Sequence, residues 1–432
     1  MSQCGNIYSM EKIIRFYSDL IKRNLNRPEV VRSLIRFGLE IAKLWVDHIG
    51  ERDAPGSLRY LNSICFKFML EPLRDPENSG FVNLLAPTEI LHSMDIYPLF
   101  IEAYSSFASG FYCEDTFIDR AVTEGISDTL CSYHKTFLGA LELSILPRLR
   151  FAVTSSILCD GNSNTFRYVA NRYRVPYCII DVPYEFNSES VRYVVTQLKE
   201  MISTVESATG KRFDIDRLRE VIRLENRTRE YLRVYIEGLK EHTMPNTVTL
   251  EMYKLFVTHP YIGRDETLKF FELLKEDVKR YPDSGYRIFW IHILPYYLYP
   301  VQRYLNFNEE FKLIGCDLNF DYLEDMDERK PLEAIARKLI LNVNNGDFKR
   351  KIDNIKRLII DLKIDGVIHF CQWGCKQSFG GFMLLKRELE KLDIPFLIID
   401  GDAVDRRNSP EEQTNTRLSA FFELLTQRGK RW

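Results

Sequence analysis

The chain has 432 residues, 45% of them hydrophobic, and a formal net charge of −2. That length predicts two or three domains with substantial cores, and the near-neutral charge excludes the basic field typical of nucleic-acid-binding proteins. The longest apolar run, residues 288–301, contains His292, Pro295 and Pro300 and is too short and interrupted to span a bilayer. The first twenty residues lack the apolar core of a secretory signal, so we expect a cytoplasmic protein that binds neither nucleic acid nor membrane.

Three segments follow one another along the chain. Residues 1–78 repeat apolar side chains at helical spacing and predict an N-terminal helical segment. Residues 79–280 predict a first α/β domain with a helical insertion, and residues 281–432 predict a second α/β domain. Strands that alternate with helices favour two Rossmann-like domains, each a doubly wound parallel sheet. Residues 409–412 (SPEE) predict a capping box with proline at the first position of the last helix.

One pattern occurs twice. Residues 153–181 run from VTSSILCD to VPYCIID, and residues 365–400 run from DGVIHFCQWGC to IPFLIID. Each copy predicts an apolar strand that ends in cysteine, a helix, and a second apolar strand that ends in aspartate. Ligands of parallel sheets bind beyond the carboxyl ends of the strands. The repeat therefore predicts thiols from both halves of the molecule facing one cleft.

The nine cysteines are an odd number in a large protein that we expect to be cytosolic, which argues against a disulfide framework. Cys159, Cys316 and the pair Cys371 and Cys375 lie at or just past predicted strand ends. The pair is spaced i, i+4, which matches neither the thioredoxin motif nor a zinc knuckle. Thiolates also hold iron–sulphur clusters. At this point an iron–sulphur cluster, structural zinc and buried free thiols all stay open.

Other polar residues carry weaker signals. His292 and His369 lie in apolar strands, where we expect satisfied core histidines rather than metal ligands. The charged loop at 402–407 follows a strand end and could meet a ligand, but a solvated loop is the default expectation. Walker A and GxGxxG motifs do not occur in the sequence, so we expect no ATP or NAD bound to this chain.

Several longer stretches resemble one known family, the 2-hydroxyacyl-CoA dehydratases and benzoyl-CoA reductases. They are PTEILHSMDIYP (87–98), CSYHKTFLG (131–139), LCDGNSNTF (158–166) and the tail at 374–425, which begins GCKQSFGG and contains EEQTNTRLSAFF. The resemblance covers roughly residues 80–430, and the tail is its most specific part. The family fold, two Rossmann-like domains with a helical segment, agrees with the predicted elements.

The resemblance implies a [4Fe–4S]-type cluster on three cysteines, which match Cys131, Cys159 and Cys375. It also implies a partner ATPase, itself an iron–sulphur protein, that injects a low-potential electron. The glutamate of the early motif matches Glu89 and is a candidate catalytic residue in the substrate pocket. Equally, Glu89 could simply be a carboxylate in the first turn of a helix.

Three further cysteines, Cys113, Cys316 and Cys371, raise the candidate ligands to six and resemble a branch with a double-cubane [8Fe–9S] cluster. That branch implies a homodimer that reduces a small-molecule substrate, and it is our main interpretation. One alternative is a subunit of an (R)-2-hydroxyacyl-CoA dehydratase, a lyase that acts through a ketyl radical, with one [4Fe–4S] cluster and a homologous second subunit. Another is a non-catalytic accessory relative, which predicts tight packing around Cys159 and Cys375.

Overall fold

The computed structural model describes residues 2–50 and 53–432, with side chains from residue 11 onward. As predicted, the N-terminal segment is helical, and its helices are α1 (Ser2–Arg23), α2 (Pro28–His48) and α3 (Gly56–Arg74). Pro28 lies in the first turn of α2, where a missing N–H costs nothing. α2 packs on α3, and α3 buries Leu61 and Phe68 completely, so these helices join the main core.

The first α/β half contains four short strands and five helices. They are β1 (Ser79–Val82), α4 (Thr88–Ser93), β2 (Tyr97–Phe100), α5 (Ile101–Gly110), α6 (Glu114–Thr123), α7 (Ser132–Glu142), β3 (Ala152–Ser155), α8 (Asp160–Tyr173) and β4 (Tyr177–Ile180). The strands pair in the order β2-β1-β3-β4, all parallel. Phe81, Val82 and Val153 are fully buried in the two central strands, as expected where helices cover both faces of a parallel sheet.

Four helices link the two halves: α9 (Ser188–Thr209), α10 (Ile215–Leu239), α11 (Val248–Thr258) and α12 (Asp265–Asp277). The side chains of Asn187, Asp214 and Thr247 cap α9, α10 and α11 by accepting backbone N–H groups of the first turn. α10 packs on α12 and α4, while α12 packs on α3. The insertion is thus part of the same packed core.

The second α/β half repeats the topology of the first. Its elements are β5 (Tyr286–Ile291), α13 (Tyr299–Leu305), β6 (Phe311–Cys316), α14 (Pro331–Leu341), α15 (Phe348–Asp361), β7 (Gly366–Gln372), α16 (Lys376–Gly380), α17 (Phe382–Glu390), β8 (Phe396–Gly401) and α18 (Glu411–Arg428). The strand order is β6-β5-β7-β8, again all parallel. The predicted fold class is therefore confirmed, whereas the exact domain boundaries stay a prediction.

The repeated sequence pattern forms the same part of each sheet. Its first copy forms β3, α8 and β4, and its second forms β7, α16, α17 and β8. In each sheet these two strands are the third and fourth in spatial order. Cys159 and Cys375 therefore follow equivalent strands, at the edge of each sheet where ligands bind.

Cys371 lies at a strand end, as predicted: it is the last residue but one of β7, where it pairs with Asp400. One local prediction is wrong. The predicted capping box does not form, because α18 begins at Glu411 with Pro410 as its N-cap residue. The Ser409 hydroxyl donates instead to the carbonyl of Asp402, at 2.8 Å. Across the described part of the chain, helices long and apolar enough to cross a membrane are absent.

Candidate metal centre

Three of the predicted ligands occupy the same kind of backbone position. Cys131, Cys159 and Cys375 are the N-cap residues of α7, α8 and α16. The first N–H groups of a helix have no partner within the helix, and the N-terminus carries partial positive charge. This local structure favours sulphur in its negatively charged form, most clearly at the longer helices α7 and α8.

The same three cysteines line a single cavity of about 90 Å³. Its walls combine the first half, the inserted helix α11 and the loop that follows β5 in the second half. A buried water needs roughly 10–15 Å³ of such space, so the cavity has room for several water-sized groups. The space around Cys159 and Cys375 is therefore not tightly packed, which does not favour the accessory relative.

Left-handed backbone occurs at three residues beside the thiols. Leu158 (φ 71°) precedes Cys159, Gly374 (φ 75°) precedes Cys375, and His292 (φ 76°) contacts Cys375. Such backbone costs a non-glycine residue about 1–3 kcal/mol and is concentrated at functional sites. A Cβ atom on Gly374 would lie 2.6 Å from the backbone nitrogen of Cys131, so glycine lets the two cysteine-bearing loops touch.

Two histidines contact the thiols. His134 Nε2 lies 3.2 Å from Cys159 Sγ, and its Nδ1 lies 2.9 Å from the Thr165 hydroxyl. His292 Nε2 lies 3.4 Å from Cys375 Sγ. Burial lowers the pKa of His134 to about 4 and that of His292 well below its usual value. Both rings are therefore neutral near pH 7, and His292 is not the satisfied core histidine that the sequence predicts.

The thiol groups favour the binding of a positively charged ligand. Burial raises the pKa of Cys131 far above its usual value, and the neighbouring thiols of Cys375 and Cys159 add to that shift. Burial also raises the pKa of Cys159 to about 12, although the N–H groups of Gly161 and Asn162 oppose it. These thiols would ionise only beside a positive charge, and a metal ion that coordinates a thiol deprotonates it.

The arrangement of the possible ligands distinguishes a site for a single metal ion from a site for a cluster. Among the described residues, groups of three His, Cys, Asp or Glu side chains able to share one metal ion are absent. Structural zinc, which needs such a group, is therefore not supported. In an iron–sulphur cluster each cysteine binds a different iron atom, so the ligands lie further apart around a common cavity.

Polar atoms without partners also face this region. Glu102 Oε2, Asn162 Oδ1 and His292 Nδ1 are buried and have no hydrogen-bond partner among the described residues, and all three side chains line the cavity. Three unpaired polar atoms around one cavity are consistent with a site that binds a ligand or cofactor. The sequence patterns did not point to Glu102 or Asn162; the available signal for Glu102 was a single charge in the otherwise uncharged run 96–111.

The loop at 402–407 was expected to be solvated, but its residues 402–405 are buried and connect neighbouring segments. Asp402 is 1% exposed and its Oδ1 accepts hydrogen bonds from Gln372 Nε2 (3.0 Å) and Val404 N (2.9 Å). Its Oδ2 accepts the hydroxyl of Ser132, the neighbour of Cys131. Asp402 thus links the two segments that carry Cys131 and Cys375.

The other three predicted ligands do not line the cavity. Cys113 lines a separate, smaller apolar cavity against α1 and α2, with its Sγ 3.6 Å from the Ser18 hydroxyl. Cys316 Sγ donates to the carbonyl of His292 (3.0 Å), and Cys371 Sγ lies 3.9 Å from the carbonyl of Ser378. The structure therefore brings Cys131, Cys159 and Cys375 to one cavity, which the other three do not line, although the thiol of Cys371 lies close enough to that of Cys375 to raise its own pKa further. Cys4 lies outside the residues whose side chains are described.

Glu89 also lies outside the cavity lining. It is 1% exposed in the first turn of α4, and its Oε1 accepts from Lys338 Nζ at 2.6 Å. Lys338 also donates to Glu225 (2.9 Å), which pairs with Arg229. Burial raises the pKa of Glu89 although Lys338 opposes the shift. This network joins α4, α10 and α14, so it connects the two halves of the chain.

The chain thus has two α/β halves, each with a parallel sheet. The cysteine-lined cavity between them is a candidate site for a metal cofactor. Residues 83–425 match the family described as 2-hydroxyglutaryl-CoA dehydratase, D-component, and the chain belongs to that family. The resemblance predicted from the sequence is confirmed.

Curated relatives with similar sequences are parts of enzymes. The chain is 21% identical over 400 residues to the (R)-phenyllactyl-CoA dehydratase alpha subunit of Clostridium sporogenes, covering 87% of this chain and 97% of that protein. It is 24% identical over 381 residues to the (R)-2-hydroxyisocaproyl-CoA dehydratase alpha subunit of Clostridioides difficile, covering 81% and 91%. It is 20% identical over 342 residues to one of the subunits of the benzoyl-CoA reductase of Thauera aromatica, covering 70% and 78%.

Proposed function

We propose that this chain is the subunit of an acyl-CoA-converting enzyme that holds one [4Fe–4S] cluster on Cys131, Cys159 and Cys375. The observation that carries the proposal is that three thiols from three separate segments, each preceding a helix, line one cavity. The relatives named as dehydratase and reductase subunits support the reaction class. When bound, the cluster would supply a low-potential electron to the substrate.

The residues around the thiols would support that chemistry in three ways. Asp402 and Gly374 hold the loops of Cys131 and Cys375 together. The neutral rings of His134 and His292 contact two of the sulphurs, where they can tune a bound cluster by hydrogen bonding. Apolar walls limit access of water to the cavity.

A single cluster agrees better with this geometry than a double cubane does. An [8Fe–9S] centre needs six thiols around one space, but Cys113 lines a different cavity. The thiols of Cys316 and Cys371 lie nearest to backbone carbonyls within the second half. The double-cubane reductase therefore becomes the second candidate, distinguished by its iron content.

Electrons and a second subunit would come from partners. Because the chain has no Walker A motif, ATP hydrolysis would take place on a separate iron–sulphur ATPase. The relatives are each named as one subunit of an enzyme, which supports a heterodimer with a homologous chain; a homodimer is the alternative.

The test is anaerobic purification with iron and sulphide quantification, followed by EPR of the dithionite-reduced protein. We expect about four irons per chain, the content of one [4Fe–4S] cluster. Cys131→Ser, Cys159→Ser and Cys375→Ser should each remove most of the iron.

Cys113→Ser and Cys371→Ser are the matched controls, because they remove buried thiols outside the cavity. Both should retain the wild-type iron content. Loss of half the iron in Cys371→Ser, from a starting content of about eight, would favour the double cubane. An iron-free wild-type protein after strictly anaerobic purification would refute both candidates.

A further inference from the structure

The first two helices of the chain expose a row of large apolar side chains. The exposed residues are Ile13, Phe16 and Leu20 on α1, and Phe37, Ile41 and Leu44 on α2. Their spacing of three or four residues places the members of each helix in one stripe along its surface. Phe16 is 70% exposed and Phe37 is 55% exposed, so two aromatic rings lie in water in the isolated chain.

Both stripes lie on the side of the helix pair that faces away from the core. Residues 24–27 connect α1 to α2 as an antiparallel hairpin, and the ring of Tyr17 packs against Gly38 between the two helices. On the other side, the hydroxyl of Ser18 donates to the carbonyl of Tyr112 (2.8 Å), and α2 packs on α3. Because each helix turns its buried side chains toward the core, the two exposed stripes are neighbours on one continuous face.

The area of this face is close to that of a protein–protein contact. A fully exposed large apolar side chain presents about 150–200 Å², so the six side chains together leave about 500–650 Å² of apolar surface in water. The largest apolar patch on a typical monomer has about 300–600 Å². Each partner of a standard interface contributes about 800 Å², apolar and polar surface together. With its polar rim, the face is therefore large enough for a stable dimer.

The charges around the face fit a protein partner better than a lipid surface. Residues 11–48 contain eight basic and five acidic residues. Four of the basic residues form ion pairs, namely Arg15 with Glu11, Lys22 with Asp115, Arg32 with Glu29 and Lys43 with Asp47. A helix that lies on a membrane is instead rich in Lys and Arg along its polar face. Here much of the positive charge is already neutralised within the chain.

Two charges beside Phe16 make the face complementary to itself. Lys12 precedes Phe16 by four residues and Asp19 follows it by three, so both side chains are neighbours of its ring along α1. Within the residues that the structure describes, neither charge has an ion-pair partner. When two copies of α1 cross antiparallel near Phe16, Lys12 of each copy lies opposite Asp19 of the other. A two-fold axis thus forms the same ion pair twice.

We propose that this face binds a second copy of the chain, so that the two helix pairs form a four-helix bundle around a two-fold axis. α1 packs on α1 and α2 packs on α2, both antiparallel, with Phe16 and Phe37 near the axis. Such a bundle buries the apolar stripes of all four helices. The inference does not depend on the proposed function, because α1 and α2 lie outside residues 83–425, which match the family. A homologous second subunit would bind at another surface.

The test is sedimentation velocity of the anaerobically purified chain over a range of micromolar concentrations. The wild-type chain should sediment as a dimer. Ile41→Asp places a carboxylate in a 48% exposed position of the face and should raise the dissociation constant of the dimer at least about thirtyfold, as the loss of an interface hot spot does. Ile360→Asp makes the same change at a 49% exposed position on α15 and should leave the dimer intact.

Charge reversal on α1 tests how the two copies are arranged. Lys12→Glu and Asp19→Lys each place like charges opposite one another and should weaken the dimer severalfold. The double variant restores opposite charges and should recover the wild-type dissociation constant. Residues 12 and 19 lie about 10 Å apart along the helix, so recovery reports a contact between copies rather than within one chain. Both positions are exposed, which keeps the test decisive if Ile41→Asp does not fold.

The possible outcomes are distinct. A wild-type chain that is monomeric at every concentration would overturn the inference, as would a dimer that survives Ile41→Asp. A dimer that the double charge reversal fails to restore would overturn the antiparallel pairing of α1. Monomers that cosediment with phosphatidylglycerol vesicles would assign the face to a membrane instead. Each variant should keep the wild-type iron content, because the described residues of α1 and α2 do not line the thiol-lined cavity.

Discussion

Gly374 offers a sharp test of how the two cysteine-bearing loops are held together. Its φ of 75° lies in the left-handed region, and a Cβ atom there would lie 2.6 Å from the nitrogen and 2.8 Å from the Cα of Cys131. Left-handed backbone costs alanine about 1–2 kcal/mol. Overlap with packed neighbours adds about 1–3 kcal/mol. Gly374→Ala should therefore lower the free energy of unfolding by about 2–5 kcal/mol.

Gly125→Ala separates the two contributions. Gly125 has a similar φ of 88°, but a Cβ atom there would have no neighbour within 4 Å. That variant should lose only the backbone part, about 1–2 kcal/mol. The difference between the two variants measures the contact between the Gly374 and Cys131 loops.

The assay is urea unfolding of the iron-free proteins under anaerobic conditions, paired with iron quantification of the same variants as purified. Gly374→Ala should also lose iron, because the new methyl group pushes Cys131 away from Cys375, while Gly125→Ala should keep it. Equal destabilisation of both variants, with full iron in both, would refute the reasoning. Loss of stability without loss of iron would show that the contact matters for folding but does not set the distance between the thiols.

Three further predictions concern the surrounding structure. Lys338→Met leaves buried Glu89 without its cation, removes one of the two cations that pair with Glu225, and should destabilise the protein by about 3–5 kcal/mol in urea unfolding; an unchanged midpoint would contradict the network. Gly139→Ala puts a methyl group 1.7 Å from the carbonyl oxygen of Phe117, where α6 and α7 touch. It should cost at least about 1–3 kcal/mol, whereas Gly380→Ala, which faces open space, should change stability by less than about 0.5 kcal/mol. Burial raises the pKa of Glu102 from 4.5 to about 8, so its contribution to stability is complete below pH 4.5 and is lost as the pH rises through about 8. Iron-free Glu102→Gln should lack that loss, and parallel stability curves for wild type and variant between about pH 5 and 9 would contradict the assignment.

The sequence predicted the fold because each half follows a simple alternation. Apolar strands followed by amphipathic helices fix a parallel sheet, and the repeated pattern at 153–181 and 365–400 marked equivalent strand pairs in both sheets. The same repeat identified Cys159 and Cys375. Cys131 came from the family resemblance alone, since it precedes a helix rather than following a strand.

What the sequence could not supply depends on packing between distant segments. The roles of His134, His292 and Glu102 arise only when α5, α7 and the loop after β5 meet around one cavity. A related reason explains why the sequence predicted Cys371 as a ligand although it does not line the cavity. It differs from Cys375 by one helical turn only if the segment is helical, but β7 continues through it. Within a strand, its side chain lies against the second half instead of facing the first.

The distribution of the three thiols has a consequence for assembly. Cys131 and Cys159 come from the first half and Cys375 from the second, so neither half alone contains the complete set. A centre bound by all three would link the halves directly, next to the contact between Gly374 and Cys131. Since a ligand that binds only the folded state stabilises it, occupancy of the site should favour the closed arrangement of the two halves over any opened one. The centre would then act as a structural link as well as a redox group. Loss of iron should loosen the boundary between the halves before it unfolds either sheet, and hydrogen exchange at residues 129–134 and 373–378 would detect that order of events.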